Sequence, residues 1–130
     1  MDMKLELVPL PVADVDRAKK FYTEKLGFVA DVDVTPVDGV RVVQVTSPGS
    51  ACSIGFGTGL PAYDATPGTI RSLHLVVADI DAARAELISR GVEVGAVDDV
   101  GGGVRYAAFA DPDGNTLTLQ EMAWRTGADF

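Results

Sequence analysis

The pattern of apolar and polar residues changes its period several times along this 130-residue chain. Residues 4–11 alternate, but both resulting faces are largely apolar, which predicts a strand covered on both sides or lining a cavity. The next segment has helical spacing, with apolar residues at Val15, Ala18, Tyr22 and Leu26. Asp14 is a good N-cap and Gly27 a good C-cap, so we predict a first helix over about 15–26.

Short apolar or alternating runs, bounded by glycine and proline, predict the strands of both halves of the chain. In the first half these runs are residues 28–34, 40–46 and 51–56. In the second half they are residues 72–77, 92–97, 104–110 and 115–120. A second helix follows Asp79 and has Gly91 as its C-cap. We expect residues 98–103, which contain three consecutive glycines, to form a hairpin connection.

The chain repeats itself at a nearly fixed offset. Residues 12–18 return 65 positions later as residues 77–83, with five of the seven residues identical. The tripeptide 39–41 returns as residues 103–105, at an offset of 64. Such an echo indicates one structural unit made twice. We therefore predict a single domain over 1–130, built from two βαβββ repeats at about 4–56 and 70–122 that are joined by a linker, 57–69.

Composition narrows the classes of function that the chain can have. Its net charge of −8 argues against nucleic acid and anionic membranes as partners, because both are bound through basic patches. The single cysteine, Cys52, excludes an internal disulfide and suits a reducing compartment. The first residues contain no apolar run typical of a signal peptide, and no membrane-spanning stretch follows. We therefore expect a cytoplasmic protein.

Two groups of motifs carry a resemblance to a known superfamily. The first is Pro11-Val12-Ala13-Asp14-Val15-Asp16-Arg17-Ala18, followed by Phe21-Tyr22 and Leu26-Gly27-Phe28. The second is Asp111-Pro112-Asp113-Gly114-Asn115. On these residues the chain resembles the vicinal oxygen chelate superfamily, which includes glyoxalase I, extradiol dioxygenases and bleomycin-resistance proteins. The resemblance implies an α+β fold in which two tandem βαβββ modules form an open eight-stranded barrel with a central cleft, and we also expect a homodimer.

In enzymes of this superfamily a divalent metal lies in the cleft, held by His, Glu or Gln from the first and last strands of each module. In the superfamily the first-strand position lies five residues before the motif valine, which here gives Leu7 and Ser72. The last-strand position lies four residues after the glycine of the Asp-Pro-Asp-Gly turn, which gives Thr118. The offset of 64 then gives Ile54 as the fourth position. Two of these side chains are alkyl and two are hydroxyls, which are poor ligands when neutral. We therefore expect no metal and no other cofactor.

The strands that would line the cleft carry the candidate ligand pocket. Its residues are Leu7, Gln44, Cys52, Ile54, Ser72, His74, Tyr106, Thr118 and Gln120. His74 is the only histidine, and the period of two places it on the same face as Ser72. It could be a passive pocket residue, a hydrogen-bonding partner of a ligand or an acid–base catalyst, and the sequence assigns no catalytic residue.

Three functions are compatible with these residues. The first is a metal-free protein, similar to bleomycin-resistance proteins, that binds a small, partly apolar molecule in the cleft between its two modules. The second is a metal-independent lyase or isomerase that uses His74 or Tyr106. The third is a non-catalytic domain that serves dimerisation. The apolar wall predicted from Leu7 and Ile54 favours the first.

Overall fold

The computed structural model describes residues 1–125, 127 and 130. These residues form two compact units. We call the first, Met1–Thr69 with Pro112–Asn115, module one, and the second, Ile70–Asp111 with Thr116–Phe130, module two. The chain passes from module one to module two at the end of the predicted linker.

Module one has the element order βαβββ. Its elements are β1 (Leu7–Pro9), α1 (Val15–Lys20), β2 (Val29–Val37), β3 (Val40–Thr46) and β4 (Ser53–Thr58). The strands form one sheet in the order β1-β4-β3-β2. In this sheet β1 runs parallel to β4, and the other neighbours are antiparallel. A short 3-10 turn, Pro61–Tyr63, follows β4.

Module two repeats this arrangement. Its elements are β5 (Leu73–Val76), α2 (Ile80–Ser89), β6 (Asp98–Gly101), β7 (Val104–Ala110) and β8 (Thr116–Met122). The strand order is β5-β8-β7-β6, with β5 parallel to β8. Because element order and strand order agree in the two halves, the prediction of two βαβββ modules in an α+β fold is confirmed.

The repeated aspartates begin both helices. In module one, Asp14 Oδ1 accepts a hydrogen bond from Arg17 N at 3.0 Å. In module two, Asp79 Oδ1 accepts from Ala82 N, also at 3.0 Å. Each carboxylate satisfies an amide of the first turn that has no partner within the helix. Both predicted N-caps are therefore confirmed.

The second aspartate of each repeat attaches its helix to the sheet. Asp16 Oδ1 lies 2.7 Å from Arg41 Nη1 on β3, and Asp81 Oδ2 lies 3.2 Å from Arg105 Nη1 on β7. The two arginines are themselves an echoed pair, 64 positions apart. The repeat in the sequence thus encodes a contact that both modules make.

The first helix ends in a wider turn than the pattern predicts. It is α-helical to Lys20, and Phe21–Lys25 is one π-helical turn. Its hydrogen bonding skips one more residue than in an α-helix, since Leu26 N donates to Phe21 O at 3.3 Å. Gly27 has a φ of 75°, so the predicted C-cap is confirmed.

Each helix covers one face of its sheet, which we call the helix-covered face. In module one this face carries Val43, Val45, Ile54 and Phe56, and in module two it carries Ala107, Phe109, Leu117 and Leu119. All eight are buried. The ring of Tyr22, which is fully buried, lies 5.9 Å from that of Phe56 between centroids. The alternating strand residues point the other way, to a helix-free face.

The predicted strand at 92–97 is wrong. Only Val94 makes a β-bridge, to Phe109, and the strand that follows is β6 at Asp98–Gly101, within the expected hairpin loop. The cause is Arg84 on α2, whose Nε donates to Gly95 O at 2.7 Å and whose Nη2 donates to Val94 O at 3.2 Å. These carbonyls thus bind a side chain of α2 at the place where a longer ladder would pair them with a neighbouring strand. The hairpin through Gly102 and Gly103 is confirmed.

The structure also corrects the position of the fourth strand. Gln44 pairs with Gly55, and the corresponding Ala108 pairs with Thr118. The loop before β4 is one residue longer than that before β8, so Gly55 is the counterpart of Thr118. Ile54 pairs instead with Val45, on the helix-covered face. The prediction that Ile54 shares a face with the first-strand leucine is therefore wrong, because a one-residue slip exchanges the two faces.

The turn Pro112–Asn115 packs within module one, although it follows β7 in the chain. Asp113 Oδ1 accepts a hydrogen bond from Ala13 N at 3.0 Å. Asn115 is fully buried, and its Nδ2 donates to Pro11 O at 2.9 Å. A segment of the second sequence repeat thereby completes the approach to α1.

Membrane crossing by a helix has no support in the described part of the chain. Neither α1 nor α2 has the length and the apolar character that a span needs.

Two carboxyls on the helix-covered faces have lowered pKa values. A hydrogen bond from Arg41 is the main cause that holds the pKa of Asp33 well below its usual range. A hydrogen bond from Ile80 N, followed by one from Arg105, lowers the pKa of Glu121. Both carboxyls are therefore more easily ionised in the folded protein than in the unfolded chain, which makes their contribution to stability depend on pH.

We expect Ile54→Ala to lower the free energy of unfolding by about 2–5 kcal/mol, because the side chain is buried beneath α1. Leu7→Ala is the matched control on the helix-free face. Truncation of this half-buried leucine should lower the free energy of unfolding by about 1 kcal/mol. Urea unfolding of the wild type and both variants measures the difference. Equal costs would contradict the strand register described above.

Glu121→Gln should destabilise the protein in a pH-dependent manner. The stabilisation from a depressed pKa is present above the unfolded-state value, about 4.3 for glutamate, and is lost as the pH falls through the folded value. We expect a loss of about 1 kcal/mol near neutral pH that shrinks as the pH falls below about 4. Urea unfolding over a pH series measures it, with the exposed Glu93→Gln as control. A loss that does not vary with pH would contradict the assignment.

Candidate functional site

The helix-free face of module two brings four of the predicted pocket residues together. Tyr106 on β7 pairs with Gln120 on β8, and Thr118 on β8 pairs with His74 on β5. Directly paired residues share a face, and so do residues two positions apart on a strand. His74, Tyr106, Thr118 and Gln120 therefore form one patch, as the alternation in the sequence predicts.

The backbone of Ser72 orients the imidazole of His74. His74 Nδ1 lies 2.6 Å from Ser72 O, and because a carbonyl oxygen only accepts, Nδ1 carries the proton of this bond. In the neutral ring Nε2 is then the acceptor. Ser72 has a φ of 55°, in the left-handed region, and its N donates to Thr116 Oγ1 at 2.7 Å. Ser72 thus contributes to the patch through its main chain.

Tyr106 supplies the apolar part of this patch. Its ring centroid lies 5.4 Å from that of His74, with the ring planes at 85°, which is the edge-to-face arrangement that aromatic pairs favour. His74 is exposed, Tyr106 is half-buried, and the Thr118 hydroxyl group belongs to a buried side chain. The patch therefore combines an aromatic surface with hydrogen-bonding atoms at a fixed position.

The helix-free face of module one carries Leu7 and Gln44. Leu7 pairs with Ser53, and Gln44 pairs with Gly55, so all four residues lie on this side. A Cβ added at Gly55 would lie 2.8 Å from Leu7 Cδ1, so the leucine side chain lies over the glycine. The prediction that Cys52 lies on the fourth strand is wrong, because β4 begins at Ser53, two residues later than the predicted start at residue 51. The Cys52 thiol lies 3.6 Å from Ser53 O.

Sequence reasoning missed a polar group at this face. Thr46 Oγ1 lies 2.6 Å from Ser53 Oγ, and the same threonine hydroxyl donates to a carboxylate oxygen of Asp31 on β2. Because that hydroxyl donates to Asp31, the serine hydroxyl donates to Thr46. The alternation of Gln44 and Thr46 along β3 is the signal in the sequence that could have indicated this group.

The linker adds a further aromatic residue to module one that sequence reasoning missed. A Cβ added at Gly57 would lie 2.8 Å from Tyr63 Cε2, so the tyrosine ring lies directly against the strand backbone. Burial raises the pKa of Tyr63, which keeps the phenol protonated. The alternating glycines Gly55 and Gly57 are the signal that could have indicated a close approach here.

The positively charged residues of the strands lie on the opposite side of both sheets. The eight strands carry two arginines and no lysine, and both Arg41 and Arg105 lie on helix-covered faces in ion pairs. Glu121 pairs with Arg105 on that side. This agrees with its place three residues after Thr118, since an odd spacing along a strand puts it on the other face. Asp98, which pairs with Tyr106 at the sheet edge, brings a carboxylate to the helix-free side of module two. Uncharged atoms make up most of the candidate site.

The residues at the four metal positions do not fit a catalytic divalent metal. With the corrected register these positions hold Leu7, Gly55, Ser72 and Thr118. They offer two hydroxyls and no imidazole or carboxylate, which are the side chains that such metals select. Within the part of the chain that the structure describes, no three His, Cys, Asp or Glu side chains form a group that could hold a metal ion.

Comparison with known families agrees with this fold. A family model, the Glyoxalase/Bleomycin resistance protein/Dioxygenase superfamily, matches residues 4–119. The chain therefore belongs to this superfamily, and the resemblance indicated by the sequence motifs is confirmed. A search of curated proteins gave no match.

Similar solved structures cover nearly the whole chain. TnmS3, an antibiotic binding protein from Streptomyces sp. CB03234, is 35% identical, covers 93% of this chain and 97% of its own, and has a TM-score of 0.80. A glyoxalase/bleomycin resistance protein from the same Streptomyces is 37% identical, with 89% and 98% covered and a TM-score of 0.75. A member of the superfamily from Sphaerobacter thermophilus DSM 20745 is 31% identical, with 92% and 98% covered and a TM-score of 0.79.

We expect the purified protein to hold no stoichiometric nickel, zinc, manganese or iron, because the donor set at the four positions is poor. Elemental analysis measures the content, and the melting temperature should be the same before and after treatment with EDTA. A bound metal in a one-to-one ratio, whose removal lowers the melting temperature, would contradict this expectation.

Proposed function

We propose that the protein binds a small, partly apolar molecule at the helix-free faces of its sheets, without a metal. The observation that carries the proposal is the pairing of His74 with Tyr106. A histidine whose Nδ1 proton is held by Ser72 O presents Nε2 to a hydrogen-bond donor. The adjacent tyrosine ring offers apolar surface to the same molecule.

The contacts divide the ligand into two parts. A hydroxyl or N–H group would donate to His74 Nε2, and an apolar portion would lie against Tyr106. Thr118 and Gln120, on the same face, supply further donors and acceptors. Pockets of this composition, mostly apolar with a few polar groups, are typical of small-molecule sites.

The similar proteins support a binding role. TnmS3 is an antibiotic binding protein, and it shares the fold of this chain at 35% identity over 93% of its length. The poor donor set at the metal positions supports binding over the metal-dependent chemistry of other superfamily members. The homodimer and the cytoplasmic location stay predictions of the sequence.

A melting-temperature screen tests the proposal. The compounds are antibiotics of contrasting chemistry, including cationic glycopeptides and aromatic drugs, each followed by mass spectrometry of the recovered compound. We expect at least one to raise the melting temperature and to be recovered with unchanged mass. His74→Leu should then weaken the binding of that compound about threefold to tenfold, which corresponds to one lost hydrogen bond.

The control is Glu93→Ala, at an exposed position outside the sheets. It should leave both melting temperature and binding unchanged. A compound recovered with altered mass would replace the binding role with a metal-independent lyase or isomerase. The absence of any shift across the screen would contradict the proposal and favour the dimerisation role.

A further inference from the structure

We propose that Tyr63, carried by the linker, is a ligand-contacting residue on the helix-free face of module one, where it selects a molecule that has a flat aromatic part and no negative charge. This inference rests on the proposed function and adds the chemical class of the ligand. Together, Gly55 and Gly57 form what we call the glycine floor, between Leu7 and Tyr63.

The glycine floor explains how a linker residue reaches the sheet. A Cβ at Gly57 would clash with Arg41 O and would lie 2.8 Å from Tyr63 Cε2. The tyrosine ring therefore occupies the space that the side chain of any residue other than glycine would need at position 57. At Gly55 the corresponding space is taken by the Leu7 side chain. The two glycines are therefore buried beneath these side chains, and it is the apolar surface of Leu7 and of the half-buried Tyr63 ring that this face presents to a planar group.

The linker holds Tyr63 in a defined position. The 3-10 turn is closed by hydrogen bonds from Tyr63 N to Leu60 O at 3.0 Å and from Asp64 N to Pro61 O at 3.2 Å. Gly59, which begins this segment, has a φ of 79° that other residues rarely adopt. The ring is thus positioned before any ligand arrives, and this lowers the entropic cost of binding.

The phenol of Tyr63 gives the site a polar atom beside its apolar ring. The side chain is half-buried, and among the described residues none makes a hydrogen bond with its hydroxyl group. A buried or partly buried tyrosine usually finds a hydrogen-bond partner. A carbonyl or hydroxyl group on the ligand would serve as that partner.

The charge distribution sets the class of ligand. Val42 and Gln44 lie beside the glycine floor, and both are uncharged. Arg41 lies on the helix-covered face in ion pairs, and Asp31, at the edge of the sheet, accepts a hydrogen bond from Thr46. The strands of module one therefore offer no cation on this face to compensate an anionic ligand, whose desolvation would be costly.

Titration with N-phenyl-1-naphthylamine, an uncharged aromatic dye whose fluorescence rises on binding, tests this inference. We expect Tyr63→Leu to weaken dye binding about threefold to tenfold, as the loss of an aromatic contact implies. Tyr63→Phe keeps the ring and should change it by less than about twofold. Leu60→Ala, in the same linker segment, is the matched control and should bind the dye as the wild type does. Circular dichroism verifies that the variants fold.

Two results would overturn the inference. If Tyr63→Leu binds the dye as the wild type does while Tyr106→Leu does not, the aromatic contact lies in module two alone and the proposed function stands. If the wild type fails to bind the dye, the ligand class is wrong. The proposed function is judged separately, by the melting-temperature screen.

Discussion

The attachment of one helix to one face of each sheet is the constraint on which the other features of both modules depend. A capping carboxylate begins each helix, an arginine–aspartate pair ties it to the third strand of the module, and buried side chains such as Tyr22 and Phe56 fill the space between. Because side chains alternate along a strand, this attachment divides the strand residues into two sets. One set is committed to the core, and the other, which includes Gln44 and His74, is available for ligand chemistry.

Features that depend on local signals could be predicted from the sequence. The strands Val40–Thr46 and Val104–Ala110 begin and end at the predicted residues, since period-two alternation and flanking glycines mark them. The failures depend on contacts distant in the sequence. One additional loop residue moved Ile54 to the other face, and the Arg84 side chain took carbonyls that a strand at 92–97 would have used.

In the candidate site, too, the residues on regular strands could be predicted and the contacts made by loops and turns could not. His74, Tyr106, Thr118 and Gln120 share a face because each lies on a strand whose register follows the pattern. Tyr63 could not be found in this way, because the linker has no periodicity and its ring reaches the sheet through glycines that leave no side chain to count. The fixed tautomer of His74 also needs the backbone geometry of the preceding turn, which no residue pattern records.

The turn Pro112–Asn115 gives the repeat a different meaning from the one its sequence suggests. The chain reads as two successive copies, but Asp113 and Asn115 of the second copy hold the main chain at Ala13 and Pro11 in the first. The boundary of the sequence repeat and the boundary of the packed unit are therefore not the same. A chain cut at the linker would therefore leave its first fragment without the two side chains that bind its main chain at Pro11 and Ala13.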